Sequence, residues 1–448
     1  MTTTKWLAGG MGIVALTGVA LAQAVPRPAA PPPAATAPAP AGRNAFLPAT
    51  QTLFDGYVRT GKMPGIVGAF GVGDLPTQFV SAGRIADDAG AATADADSLW
   101  RVYSMTKPIT AMAAMILIEE GKLGLDDRLD KYFPAFAKMR VLTSPDTSLA
   151  SVPAKNPITI RNLLTHTAGL SYNIIAKGPL LKEYERLGLL PGAINAEVEA
   201  KARLVRPATL QAFANRLAQA PLIAEPGTKW SYSVGLDLMG AVIEKVSGMP
   251  FDAFVQARLL TPLGMTSTYW TVPASAAGRL SSNYTFVGDK RVLTDPGATS
   301  LWLSPPQFPY GGAGIVSSAR DYDRFLHMLA NAGTLDGVQV MKPATARLAM
   351  SNLLPAGVFF GGIGSDTGGT AAGPKMGFGA GGSVYLEDKP GGPSKGTYGW
   401  GGAAGTIAFV DPVKRVRVTV MVQYFPAGQW PLRADIPTAL AADLARFK

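Results

Sequence analysis

Ser104-Met105-Thr106-Lys107, followed at once by Pro108 and the apolar run Ile109 to Ile118, decides how this 448-residue chain is read. A spacing of three on a helix puts a hydroxyl and an amine on one face, within proton-transfer reach. An S-x-x-K pair arises about once by chance in a chain this long, so its setting matters. No other lysine here has a serine three residues before it. Proline lacks an amide hydrogen and clashes with the preceding turn, so Pro108 places the pair at a helix start. There the free amides and the positive end of the helix dipole favour a developing alkoxide or oxyanion. These are the minimum parts of a Ser-Lys acyl-transfer site.

Outward from that point, the helix reads as buried on all sides and stops at Glu119-Glu120-Gly121, with glycine closing it. Upstream, residues 64 to 83 read as two short strands divided by a turn. Downstream, residues 122 to 290 read mainly as helical pieces separated by prolines. They include Thr159 to His166, closed by Gly169, and Leu236 to Val246, stopped at Gly248. Strand character returns near 310, where Gly311 to Ser317 leads into a helix capped by Ser318 with Asp321 three residues later. Strands are expected at about 376 to 387, 404 to 411 and 415 to 424, then a helix from Ile436 to Phe447. Strands at both ends with helices between them imply a sheet built from the two termini with a helical lobe, about 122 to 290, inserted. The site is expected between the two.

The first 24 residues read as an export signal: Lys5, an uncharged h-region from Trp6 to Leu21, and Ala22-Gln23-Ala24 as the cleavage site. Four glycines break the h-region, and it is shorter than the roughly 20 residues that span a bilayer. No stable span is expected after cleavage, the competing reading being an uncleaved anchor. Residues 25 to 43 carry seven prolines among alanines and read as a semi-rigid linker, so the folded domain is expected over 44 to 448. A hydrophobic content of 47% allows one large domain or two lobes. The chain is expected to be exported, periplasmic or secreted.

The chain has no cysteine, which excludes disulfides, a thiol nucleophile and thiolate metal sites. The two histidines, His166 and His327, lie far apart and outside any zinc-binding pattern, so neither metal nor organic cofactor is implied. The net charge of +10 is scattered, with no basic run longer than two. Nucleic acid is therefore not an expected partner.

Three motifs in order give the chain a family resemblance: Ser104-Met-Thr-Lys107; Tyr232-Ser-Val234 within Pro226-Gly-Thr-Lys-Trp-Ser-Tyr-Ser; and Trp400-Gly-Gly402. Leu164-Thr-His-Thr-Ala-Gly-Leu170 and Gly311-Gly-Ala-Gly314 support them. From about Ala45 onward the chain resembles the serine β-lactamase-like superfamily, in the branch of class C β-lactamases, D,D-peptidases and family VIII carboxylesterases. The resemblance implies an α/β (α+β) fold, an antiparallel sheet flanked by helices plus a helical lobe. It implies Ser104 as nucleophile, Lys107 and Tyr232 as general base and acid, and the amides of Ser104 and Ala403 as oxyanion hole. Trp400, Gly401, Gly402, Val234 and Tyr172 would border the substrate. Which of Lys107 and Tyr232 takes the serine proton is open at this level.

Two departures bear on substrate. Val234 stands where the lactam- and peptide-cleaving members carry asparagine, and Trp400 where they carry lysine or histidine. Valine offers no amide and tryptophan no cation, so a neutral, fairly apolar small-molecule ester is expected. β-Lactamase, D,D-peptidase or D-aminopeptidase action and an exported penicillin-binding-like sensor with little turnover are the alternatives. The rival G-x-S-x-G template at Gly392 to Gly396 fails because no histidine follows residue 327. His166 reads as a hydrogen-bonded structural group, His327 as a surface residue and Trp230 as a packing residue. The glycine-rich stretch 357 to 382 reads as a lid or as loop and strand, and oligomeric state is not legible.

Overall fold

The computed structural model describes residues 46–360 and 375–447. The expected signal (1–24) and linker (25–43), and most of the glycine-rich stretch, lie outside the described residues. Asn44–Lys448 forms one compact unit.

Seven strands form the central sheet: β1 (Gly65–Val72), β2 (Gln78–Gly83), β3 (Met376–Phe378), β4 (Ser383–Tyr385), β5 (Tyr398–Gly401), β6 (Ile407–Asp411) and β7 (Val416–Met421). Their order is β3-β4-β5-β6-β7-β1-β2 with every pair antiparallel, so first and last thirds of the chain meet where β1 pairs with β7, Val67 opposite Met421. Alternation along these strands assigns the two faces. Ile66, Phe70, Val418, Val420 and Val422 pack with Phe54 of helix α1 (Pro48–Arg59) and with Leu432, Ile436 and Leu440 of the C-terminal helix. Val67, Ala69 and Met421 face the larger core containing helix α2 (Thr106–Glu119). The antiparallel α/β arrangement flanked by helices is thus the fold.

Residues 122–290 carry the helices Ile160–Leu164, Gly178–Arg186, Ala196–Arg203, Leu210–Leu217 and α3 (Gly235–Ser247). Thr159 and Asn162 form a reciprocal capping box on the first, and Gly248, left-handed at φ 71°, ends α3. Ser318 caps α4 (Ala319–Ala330) by accepting from the Asp321 amide, but the Asp321 carboxylate turns to Ser267 and Thr268, so that box is not reciprocal.

Four boundaries differ from the sequence expectation. The expected strand 376–387 is a hairpin, β3 and β4, because the backbone turns at Gly379–Gly382 and Ala380 and Gly381 donate out of the sheet to Ala349 and Leu164. The expected 404–411 strand starts at Ile407, with β5 and a tight turn before it. The last strand breaks after Met421, and Tyr424–Phe425 pairs instead with Asn283–Val287. The C-terminal helix α5 (Leu432–Leu444) starts four residues early and holds Pro437 inside, since burying Leu432, Ile436 and Leu440 on one face outweighs one lost backbone bond.

Candidate active site

Ser104 sits in a single 3-10 turn, Tyr103–Met105, that feeds α2, and Pro108 is the third residue of that helix. Tyr103 enters the turn at φ 43°, a left-handed conformation that a bulky residue holds only under constraint. The constraint is visible. The Tyr103 hydroxyl accepts from Asn283 at 3.1 Å, and its ring packs edge-on against Trp302 and Phe425. Two residues earlier, the wholly buried Arg101 pairs with Asp295 and donates to Ser281 and Gln423.

Around Ser104 Oγ the structure gathers the two groups named from sequence. Tyr232 OH donates to it at 2.6 Å and Lys107 Nζ at 3.2 Å. Lys107 is wholly buried and also donates to the Gly312 carbonyl at 2.7 Å. Its ammonium lies 4.6 Å from the Tyr232 ring centre and 5.6 Å from that of Tyr172. No carboxylate lies within ion-pair distance of it among the described residues. The Gly311–Gly314 string, legible only as a supporting motif, docks along α2: Thr110 donates to the Gly311 carbonyl, and Thr106 accepts from the Ile315 amide.

Tyr232 precedes α3, and its loop is fixed by the left-handed His166 (φ 57°). The His166 carbonyl accepts from Ser231, and its Nδ1 accepts from the Ser233 amide at 3.2 Å. Burial first, and Lys107 second, hold His166 well below the usual imidazole range, so it is neutral. Its ring lies 4.8 Å from that of Tyr232. His327 is half-buried on α4 rather than a fully surface residue.

The third motif lies on β5 and the turn after it. Trp400 is packed against Tyr232, Phe360 and Phe378, and Trp230 against Phe360 and Phe378, which makes an aromatic wall beside Tyr232. A side chain at Gly402 would run into the Val102 carbonyl, so this turn approaches the backbone leading to Ser104 closely. Ala403, at the turn's tip, is exposed. Tyr172 is buried beside Tyr232, at a ring separation of 5.6 Å. Val234 is brought near by its amide, which donates to the Ser171 carbonyl, but its side chain is wholly buried in the core as α3 begins.

Two residues escaped the sequence reading. Asp237, on the first turn of α3, is wholly buried; its Oδ1 accepts from the Gly312 amide at 2.8 Å, and burial pushes its carboxyl up to about 6 against the pull of Lys107. Arg433 of α5 lies over Gly401, so a cation does reach the third motif from a distant helix.

Set against known proteins, residues 50–442 match the Beta-lactamase family model. Protein Rv1367c of Mycobacterium tuberculosis is 32% identical over 362 residues, 78% of this chain and 82% of its own length. Esterase EstB of Burkholderia gladioli is 32% identical over 333 residues, 70% of this chain and 74% of its own. Among solved structures, EstCE1, described as a hydrolase with promiscuous acyltransferase activity, superposes with a TM-score of 0.71 at 25% identity, covering 88% of this chain and 98% of that one. With the family match spanning nearly all of the described fold and an esterase among the relatives, the chain belongs to the beta-lactamase family and is a serine hydrolase.

Proposed function

We propose that the protein is an exported carboxylesterase that cleaves small to medium acyl esters through an acyl-enzyme on Ser104. The observation that carries this reading is the pair of contacts on Ser104 Oγ, from Tyr232 at 2.6 Å and Lys107 at 3.2 Å. Tyr232, the nearer of the two, acts as a phenolate whose charge the Lys107 ammonium balances, and it takes the serine proton to become a neutral phenol as Oγ attacks the ester carbonyl. The carbonyl oxygen becomes an oxyanion facing the amides of Ser104 and Ala403, where one donor is worth about 2.7 to 4 kcal/mol. The C–O bond then breaks, Tyr232 returns the proton to the leaving alcohol, and water repeats the cycle on the acyl-enzyme.

The aromatic wall of Trp230, Phe360, Phe378 and Trp400 suits an apolar acyl or alcohol group, and similarity to EstB agrees. A second reading, β-lactam or peptide hydrolysis, draws on Arg433: its guanidinium over Gly401 supplies a cation that the third motif itself lacks. Hydrolysis of p-nitrophenyl acetate, butyrate and octanoate beside nitrocefin, by residues 25–448 and by Ser104→Ala, separates the two. Ester turnover lost in Ser104→Ala, with little nitrocefin cleavage, is expected. Efficient nitrocefin turnover would move the protein to the second reading.

A further inference from the structure

Asp237 is a wholly buried acid that the steps above do not use. Its surroundings are arranged around it. Oδ1 holds the Gly312 amide, and Lys107 Nζ holds the carbonyl of the same residue at 2.7 Å. Oδ2 is buried without a protein partner and lies so close to the Gly312 Cα that any side chain there would overlap it. Gly312 is thus clamped between a carboxylate on α3 and the ammonium on α2. The other titratable groups facing this carboxyl are Tyr172, from the loop after His166, and Tyr310, from the segment before Gly312, with Tyr232 beyond Tyr172. Arg206, Arg203 and Glu199 stand behind Tyr310. Lys107 is the cation on the site side of Asp237.

We propose that Asp237 is a positioning residue for the reaction: it fixes the Gly312 carbonyl that orients Lys107, and its buried negative charge balances the Lys107 ammonium beside Ser104. The inference rests on the assignment of Ser104, Lys107 and Tyr232 as the reacting set. A lone ammonium in a dry site is costly and tends to lose its proton. A carboxylate one residue away keeps it charged without forming a contact ion pair, so Nζ stays free to face Ser104 Oγ and the phenol. A direct ion pair would draw Nζ away from both.

Asp237→Asn keeps the shape and an acceptor for the Gly312 amide while removing the charge. In the ester assay, kcat is expected to fall at least about tenfold with KM little changed. The high-pH limb of kcat/KM is expected to move to lower pH, because the Lys107 ammonium is lost sooner as pH rises without the carboxylate. A merely structural residue would lower kcat/KM by one factor at every pH. An Asn variant with wild-type kcat and an unmoved profile overturns the proposal.

A second readout needs no substrate. With 15N-labelled lysine in the Ser104→Ala protein, the Lys107 ammonium titration midpoint is expected to drop by about one unit or more on adding Asp237→Asn. Reciprocally, Lys107→Met is expected to raise the midpoint of the Asp237 carboxyl, and this remains readable if Asp237→Asn does not fold. Midpoints that ignore each other refute the coupling, whatever the enzyme hydrolyses. A protein that cleaves no ester while the two midpoints move together would sink the esterase reading and leave the coupling standing.

Discussion

At the scale of single residues, Asp237 has a stability cost that can be measured. Burial raises its carboxyl from the ordinary 3.8 to about 6, so the folded state holds that proton more tightly than the unfolded chain. The sign follows: the contribution is favourable below the unfolded value and is lost as pH rises through about 6. Above that, the buried charge costs up to about 3 kcal/mol relative to a neutral group. Asp237→Asn is therefore expected to unfold at a higher temperature than wild type at pH 8, with the difference closing as pH falls towards 4; thermal melts across that range check it. That cost is what the proposed positioning role of Asp237 would have to offset. Sequence did not show it, because an aspartate on the first turn of a helix is the ordinary partner of the helix dipole. Ser104 and Lys107 drew attention by their spacing and the proline beside them, and Tyr232 only by its place in the motif series that carries the family resemblance.

Elements contribute through the docking of Gly311–Gly314 onto α2. Thr106, Lys107 and Thr110 share one helix face and bind Ile315, Gly312 and Gly311 in turn, so the string is set by three polar side chains of a helix that is apolar from there until Glu119 at its end. A methyl at Gly312 would collide with the Asp237 carboxyl and push the Lys107 acceptor out of place. Gly312→Ala is expected to lower kcat/KM on the order of 10²-fold, the usual result of displacing a catalytic group by about an ångström. The far-ultraviolet circular dichroism should stay unchanged. A variant as active as wild type would show that the clamp on Gly312 is not needed. The helices of this region were readable from their caps and glycine stops, and β1 and β2 from their apolar runs. The hairpin β3–β4 was not, because its Gly379–Gly382 turn is chosen by the distant carbonyls of Ala349 and Leu164. The start of α5 was hidden likewise, since Pro437 reads locally as a boundary and only the core reveals the helix before it.

For the whole molecule, the sheet joins the two ends of the chain before the site is complete. β1 lies between β2 and β7, while β5 brings Trp400 and Gly402 to the turn that holds Ser104. Such long-range pairing was foreseeable from strands at both termini, but its fastening was not. Helix α1 has no side-chain cap of its own. Asp443 of α5, wholly buried, supplies one from the far end by accepting from the amides of Ala49 and Thr50 at 2.7 and 2.9 Å and from the Thr50 hydroxyl at 2.7 Å. Removing that carboxylate leaves three donors stranded at a helix start, each worth on the order of 1 kcal/mol or more. Asp443→Ala is therefore expected to destabilise the protein by about 3 kcal/mol, read as an earlier urea midpoint with an unchanged slope. The fluorophosphonate labelling rate of Ser104 in the folded fraction should stay at the wild-type value. If labelling fell along with stability, the α1–α5 fastening would reach the site through β1 and β7 rather than serving the sheet alone. If neither changed, the closure of the sheet would rest on its apolar faces without the help of this buried cap.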